Sequence, residues 1–225
     1  MTIFVLNPNT STMVTEGISN ALTSFRDIGP DLVCMTSAEG PIGIETDDHV
    51  KEAAMRLDGQ IRGLIEPSAV VVACFSDPGV SKVAPMFSFP VVGIREAAIT
   101  MALRTGNKFG VVAMGPASIP RHMAAFREMG VTDRLAGDRS VDLSMTEMLD
   151  SETALPRLVE TSQKLRDMDG ADVIVLGCAG MPSYKSEIEA ATGLPVVEPC
   201  AAGVAIAIER LKTDHSTQAE PSNAQ

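Results

Sequence analysis

Short apolar runs alternate along the chain with longer stretches in which apolar residues recur at helical spacing. The short runs are rich in Val and Ile, which is typical of the buried strands of a parallel sheet with helices on both faces. The pattern therefore predicts an α/β fold. The predicted strands are residues 3–6, 31–35, 69–74, 90–93, 108–113, 139–143, 172–177 and 195–197. The predicted helices are residues 11–26, 48–65, 95–105, 118–129, 150–168 and 200–212.

Landmarks of the first half of the chain recur in the second half. Cys74 and Cys178 each end an apolar run and lie 104 residues apart, and Pro90 and Pro195 precede Val-Val pairs 105 residues apart. A duplicated half-chain predicts two Rossmann-like lobes related by pseudo-two-fold symmetry, each a four-stranded parallel sheet flanked by helices. The predicted boundaries are residues 1–95 for lobe 1, completed by the helix 199–212, residues 96–198 for lobe 2, and a disordered tail at 213–225.

Composition and charge narrow the class of partner. The chain has 225 residues and a net charge of −11, which disfavours binding to nucleic acid or to an anionic membrane. No apolar stretch reaches the roughly 20 residues of a membrane span, and the N-terminal run does not resemble a signal peptide, so we expect a cytoplasmic protein. Four cysteines without paired short spacings, together with only three histidines, predict no metal site.

Loops that follow the strands of an open parallel sheet are the usual place for ligands. Four such loops carry Gly or Pro with small polar residues, at positions 7–11, 74–79, 114–118 and 178–182. Two of them begin with the repeat-equivalent cysteines, Cys74 and Cys178. We therefore expect the two thiols to meet in the cleft between the lobes.

Two facing thiols are suited to moving a proton from one side of a carbon atom to the other. A helix N-terminus near each thiol would lower its pKa from about 8.5 toward neutrality, so that Cys74 and Cys178 alternate as base and acid. Such a pair inverts a stereocentre without a cofactor. The predicted groups that bind the substrate and its developing charge are the backbone around Phe75, Ser76, Ala179 and Gly180, the Ser76 hydroxyl, Asn7 and Ser11.

Each of these residues also has a structural interpretation. A buried cysteine at the end of a strand is commonly a packing residue, which is how we interpret Cys34 and Cys200. Residues 7–10 (NPNT) are typical of a turn with a helix cap. We expect His49 on a solvated helix face and His122 on a helix after Pro120, without contact to substrate. The matched positions of the other two cysteines favour catalysis.

Four segments resemble the hydantoin and allantoin racemases of the aspartate/glutamate racemase superfamily, over about residues 3–211. They are residues 7–11 (NPNTS), 73–79 (ACFSDPG), 93–98 (GIREAA) and 176–181 (LGCAGM). The resemblance implies a cofactor-independent racemase with its site between two lobes, and Cys74 and Cys178 as proton carriers. It also implies a small-molecule substrate and assembly into a homo-oligomer.

The residues beside the cysteines indicate the kind of substrate. Amino-acid racemases of this superfamily typically have polar residues there, whereas this chain has Phe75 and Ala179-Gly180. The resemblance therefore implies a flatter, less charged substrate, such as a 5-substituted hydantoin, allantoin included. Arg95 is suited either to binding a carboxylate or ureido group or to a surface ion pair with Glu96, and the sequence leaves both open.

Two other functions remain open at this point. The first, suggested by relatives that have a single cysteine, is decarboxylation or cis-trans isomerisation of a small carboxylic acid. These reactions need no second matched thiol. A non-catalytic protein of the same fold would use the paired thiols to bind a ligand or to sense oxidation by forming a disulfide.

Overall fold

The computed structural model describes residues 1–26 and 29–218, with side chains described through residue 213. In this part of the chain the strands are β1 (Thr2–Asn7), β2 (Asp31–Thr36), β3 (Ala69–Val72), β4 (Val91–Gly93), β5 (Phe109–Ala113), β6 (Leu135–Ser140), β7 (Val173–Leu176) and β8 (Val196–Val197). They form two four-stranded parallel sheets, ordered β2-β1-β3-β4 and β6-β5-β7-β8. The second order repeats the first, and the predicted fold class is confirmed.

Helices connect and cover the strands. They are α1 (Thr12–Ala21), α2 (Thr23–Arg26), α3 (Asp47–Arg62), α4 (Val80–Val83), α5 (Ile94–Thr105), α6 (Ile119–Glu128), α7 (Met145–Met148), α8 (Ser151–Asp167), α9 (Lys185–Thr192) and α10 (Pro199–Gln218). The sequence predicts one helix where α1 and α2 lie, and it does not predict α4, α7 or α9. Helix α10 continues beyond residue 212, into the predicted tail 213–225, of which residues 219–225 lie outside the described residues.

One predicted strand is wrong in position. The sequence places the sixth strand at residues 139–143, whereas β6 spans Leu135–Ser140. This strand lies at the edge of its sheet and all its residues are half-buried, so it lacks the continuous apolar run that identifies the central strands. Residues 141–143 instead lead toward the space between the sheets, where Leu143 lines a cavity.

A continuous apolar core joins the two sheets. Helix α5 contacts β4 of the first sheet and β5, β7 and β8 of the second, while α10 packs on β3, β4 and α5. Gly203 permits this close approach of α10, because a Cβ atom there would lie 2.7 Å from Val71 Cγ1 and 3.1 Å from Ile94 Cγ2. In the part of the chain with described side chains, no helix is long and apolar enough to cross a membrane.

Candidate active site

A cavity of about 290 Å³ lies where loops from both sheets meet. Three of the four predicted loops, those after β3, β5 and β7, contribute several residues each, and the loop after β1 contributes Asn9. Further lining residues come from a segment at 44–46, from α6 and from residues 143–145. Among the lining residues are Asn9, Glu45, Cys74, Phe75, Ser76, Met114, Arg121, His122, Met145, Cys178 and Gly180.

The two cysteines occupy equivalent turns, here named the first thiol loop (residues 74–79) and the second thiol loop (residues 178–183). In each loop the cysteine carbonyl accepts a hydrogen bond from the backbone N–H three residues later, that of Asp77 at 2.9 Å or of Met181 at 3.3 Å. The N–H two residues later donates to the thiol sulfur: Ser76 to Cys74, and Gly180 to Cys178 at 3.4 Å. Both thiols line the same cavity, one from each sheet.

Burial dominates the acidity of both thiols. It raises the pKa of Cys74 to about 12 and that of Cys178 to about 11, and in each case the backbone hydrogen bond to sulfur only partly offsets the effect. The charge of a Cys178 thiolate would raise the pKa of Cys74 further, so the two groups are electrostatically coupled. In the unliganded protein the thiols are therefore protonated at neutral pH.

The predicted lowering of the thiol pKa is therefore wrong, for a geometric reason. The helix after Cys74 is α4, which has only four residues, and the turn at 77–79 precedes it. After Cys178 a single 3-10 turn, Pro182–Tyr184, intervenes before α9. Neither thiol lies at the N-terminus of a long helix, so the dipole that would favour a thiolate is absent and desolvation prevails.

Arg95 lies behind the first thiol loop and does not line the cavity. Its guanidinium donates to the Ser76 carbonyl at 3.0 Å and lies 3.7 Å from Asp77 Oδ2. The Asp77 carboxylate also accepts the backbone N–H groups of Arg95 and Glu96, at 3.1 and 3.0 Å. Glu96 pairs with Arg210 instead. Arg95 thus forms neither the surface pair with Glu96 nor a contact with the cavity, and it holds the first thiol loop in place.

Asp77 has an unusual environment. Its φ of 46° lies in the left-handed region, which Asp adopts more readily than most residues with a side chain. Burial raises the pKa of its carboxyl group to about 6, although the Arg95 guanidinium and two backbone donors oppose the effect. Gly93 leaves the space for this carboxylate, because a Cβ atom at position 93 would lie 2.3 Å from Asp77 Cγ.

Asn7 and Ser11 are buried beside the cavity and do not line it. Asn7 Nδ2 donates to Asn9 Oδ1 at 2.8 Å and to Thr15 Oγ1 at 3.0 Å. Ser11 caps α1, its hydroxyl accepting the Val14 N–H at 3.3 Å. Both residues serve the turn and the helix cap, and Asn9 is the residue of this loop that reaches the cavity.

Several polar residues line the cavity although the sequence does not predict them there, among them His122, Arg121 and Glu45. His122, expected to be away from substrate, lines the cavity and is buried. Its position four residues before Phe126, on the buried face of α6, is a signal that could have placed it inward. Arg121 donates to Asp47 Oδ1 at 2.6 Å, and Glu45 Oε1 accepts the Met145 N–H at 3.1 Å. These contacts join the first half of the chain to the second half at the cavity. Glu45 lies in the segment before α3, whose sequence has neither helical nor strand periodicity.

The arrangement is suited to proton transfer at carbon. Two equivalent thiols enter one cavity whose other walls are largely apolar, and each thiol has one backbone donor. Among residues with described side chains, no group of three His, Cys, Asp or Glu is arranged to hold a metal ion. This geometry agrees with comparisons to known proteins. The chain belongs to the Asp/Glu/hydantoin racemase family, whose model matches residues 3–207, and it is an isomerase of the racemase class.

Individual relatives extend this assignment. The chain is 32% identical over 212 residues to the hydantoin racemase of Paenarthrobacter aurescens, a match that covers 92% of this chain and 89% of the relative. The crystal structure of allantoin racemase from Pseudomonas fluorescens superposes with a TM-score of 0.90 at 27% identity, over 100% of this chain and 99% of the other. Allantoin racemase from Klebsiella pneumoniae gives 0.88 at 26% identity, over 100% and 95%. The family resemblance found in the sequence is confirmed.

Proposed function

We propose that this protein racemises 5-substituted hydantoins, allantoin included, without a cofactor, by proton transfer between Cys74 and Cys178. The observation that carries the proposal is the pair of equivalent thiols in one cavity, each with a backbone N–H on its sulfur. The relatives named hydantoin racemase and allantoin racemase support this class of substrate.

The proposed reaction has two proton transfers. One cysteine, as thiolate, takes the proton from C5 of the ring and becomes a thiol, while the electron pair of the broken C–H bond moves onto the adjacent carbonyl. The other thiol delivers its proton to the opposite face of C5 and becomes the thiolate. The product is the other enantiomer, and the two cysteines have exchanged roles. No oxidant, reductant or further reactant is consumed.

The raised pKa values have two opposite consequences for this reaction. Few thiolates form at neutral pH, because burial disfavours the charged sulfur of Cys74 and Cys178. Each thiolate that does form is a stronger base toward carbon than an ordinary cysteine thiolate, since proton-transfer driving force rises with the pKa of the base. Hydantoin C5–H is acidified by its neighbouring carbonyl, which lessens the basicity required.

The lining of the cavity favours a neutral ring over a carboxylate. Phe75, Met114 and Met145 supply apolar walls. The terminal nitrogens of Arg121 already donate to Asp47 Oδ1 and to backbone carbonyl groups. Arg95, which would suit a carboxylate, is bound to Asp77. These contacts disfavour the decarboxylase and cis-trans isomerase alternatives.

The test is incubation of the purified protein with enantiopure allantoin and 5-alkyl hydantoins in deuterated buffer, beside a blank without protein. We expect optical rotation to decay to zero while deuterium enters at C5. If optical rotation and deuterium content both change no faster than in the blank, the proposal is contradicted. In that case release of carbon dioxide from substituted malonates, or isomerisation of maleate, would favour the carboxylate-processing alternatives.

A further inference from the structure

A buried histidine–aspartate pair reaches the cavity that the two thiols share. His122 of α6 is 1% exposed and lines the cavity, and its Nδ1 lies 2.8 Å from Oδ2 of Asp138, on β6. The Asp138 side chain is 2% exposed. Since the Nδ1 edge of the ring is taken by Asp138, the remaining polar atom that His122 can present to the cavity is Nε2.

The ring is held in a fixed orientation beside the first thiol loop. The Phe75 ring, next in the chain to Cys74, contacts it edge to face with centroids 5.0 Å apart at 76°. Phe126, one turn further along α6, packs on it at 6.1 Å. A buried polar ring clamped by two aromatic rings and a carboxylate has little rotational freedom, which is the preorganisation that a hydrogen bond to a substrate requires.

The contact with Asp138 fixes which ring atom is left for substrate. Oδ1 of Asp138 has no hydrogen-bond partner among the described residues, and His122 is the one ion-pair partner of Asp138 there. The carboxylate and the Nδ1 edge of the ring therefore hold each other in place. In the form in which Nε2 bears a proton, the pair presents an N–H donor to the cavity.

We propose that His122 Nε2–H donates a hydrogen bond to the hydantoin carbonyl oxygen on which negative charge collects when C5 loses its proton. This inference rests on the proposed function. Two other polar side chains of the cavity are less available, because the Ser118 hydroxyl donates to the Gly115 carbonyl at 2.7 Å and Arg121 is bound as described. Asp138 acts as a positioning residue, which holds the imidazole ring in its orientation.

The test compares two replacements of His122 in the full-length protein. His122→Gln retains an N–H donor of similar reach. His122→Leu removes the donor. This substitution is combined with Asp138→Leu so that no buried carboxylate is left without a partner. We expect the double Leu variant to lose about 10²- to 10³-fold in kcat, the usual effect of losing one such donor, with a smaller change in KM. The Gln variant should lose less than tenfold.

Controls separate a hydrogen-bonding role from a structural one. Urea unfolding must show that both variants are folded under assay conditions, and Asp169→Asn, which breaks the Arg139 pair on the same strand, should leave kcat unchanged. Wild-type kcat in a folded double Leu variant would overturn the inference, as would equal losses in the folded Gln and Leu variants. In both cases the racemase proposal would stand. If the wild-type protein itself fails to racemise hydantoins, the proposed function fails, and this inference with it.

Discussion

The two thiol loops share a backbone turn and differ in almost everything around it. Both give their cysteine sulfur an N–H donor from the second residue downstream. The first loop carries Phe75 and is anchored by the buried pair of Asp77 and Arg95. The second has Ala179 at the position of Phe75 and Met181 at the position of Asp77, and the Cys178 sulfur lies 3.9 Å from the thioether of Met114. The elements that the two loops share are the ones that the proposed proton transfer needs.

The two loops also differ in how they are held and in the kind of cavity wall that they form. The first loop is fixed by charged and hydrogen-bonded groups and forms a bulky wall. The second has the small residues Ala179 and Gly180 beside its cysteine, and Met145 packs closely there, since a Cβ atom at Gly180 would lie 3.3 Å from Met145 Sδ. The proposed reaction is symmetric, and it requires only that each thiol keep its own donor and its access to the common cavity.

The largest expected effect comes from removing either thiol, which tests whether the two loops are equally necessary. Cys74→Ser and Cys178→Ser should each lower the racemisation rate by about 10²- to 10⁴-fold in both directions, because a hydroxyl is a far weaker acid than a thiol. Rates are measured by polarimetry from each enantiomer. Cys34→Ser, on β2 and outside the cavity, is the matched control and should retain wild-type rates. Near-normal rates in either cavity variant would break the comparison.

The next largest effect is on the free energy of unfolding, and it tests whether Arg95 anchors the first loop. Arg95→Met should lower the free energy of unfolding by about 3 kcal/mol, because it leaves the buried Asp77 carboxylate without its cation. Urea unfolding measures the change. Arg104→Met, which breaks an exposed pair with Glu209, serves as control and should cost less than about 1 kcal/mol. Equal losses in the two variants would show that the first loop is not specially anchored.

The dependence on pH tests the burial of both thiols. Since burial raises the pKa values to about 11 and about 12, the thiolate fraction, and with it kcat/KM, should rise about tenfold per pH unit between pH 6 and 8. Stability should change in the opposite direction. Above pH 9.0 unfolded cysteines release protons that the folded thiols keep. The free energy of unfolding should therefore fall as the pH rises above 9.0. A kcat/KM that is flat over pH 6 to 8 would show a thiolate already formed.

The smallest effect concerns the close packing around Gly180 in the second loop. Gly180→Ala places a methyl group 3.3 Å from Met145 Sδ and 3.7 Å from Cys178 Sγ. We expect a cost of about 1 kcal/mol in transition-state binding, which is roughly a fivefold lower kcat/KM. Gly59→Ala on α3, where nothing lies within 4 Å of the added atom, is the control. A variant at position 180 with unchanged kinetics would mean that Met145 gives way to the added methyl group without disturbing the site.

Much of the fold can be predicted from the sequence, and so can the position of the two cysteines in the cavity. The central strands are continuous apolar runs because helices cover both of their faces, so pattern alone locates them. The internal repeat then singles out Cys74 and Cys178 from four cysteines. Edge strand β6 was misplaced because half-buried strands lack that run. Helix α7 had a usable signal, the capping box of Ser144 and Glu147, which the apolar pattern did not include.

The remaining parts of the site depend on contacts distant in the chain. Asn9 replaces Asn7 and Ser11 at the cavity because a hydrogen-bonded turn directs the latter two inward, toward α1. The role of Arg95 requires Gly93 to leave space for Asp77. The thiol pKa values depend on burial, which the apolar pattern alone does not measure. Such features follow from tertiary packing and not from local pattern.

The most direct test of the central claim is the stereochemistry of hydrogen exchange in the single cysteine variants. Each enantiomer of one hydantoin is incubated in deuterated buffer with Cys74→Ser or with Cys178→Ser, and deuterium at C5 and optical rotation are followed together. If the thiols act on opposite faces, each variant exchanges C5 hydrogen in one enantiomer only, without inversion, and the two variants choose opposite enantiomers. Exchange of both enantiomers by a single variant, or inversion by it, would contradict the account.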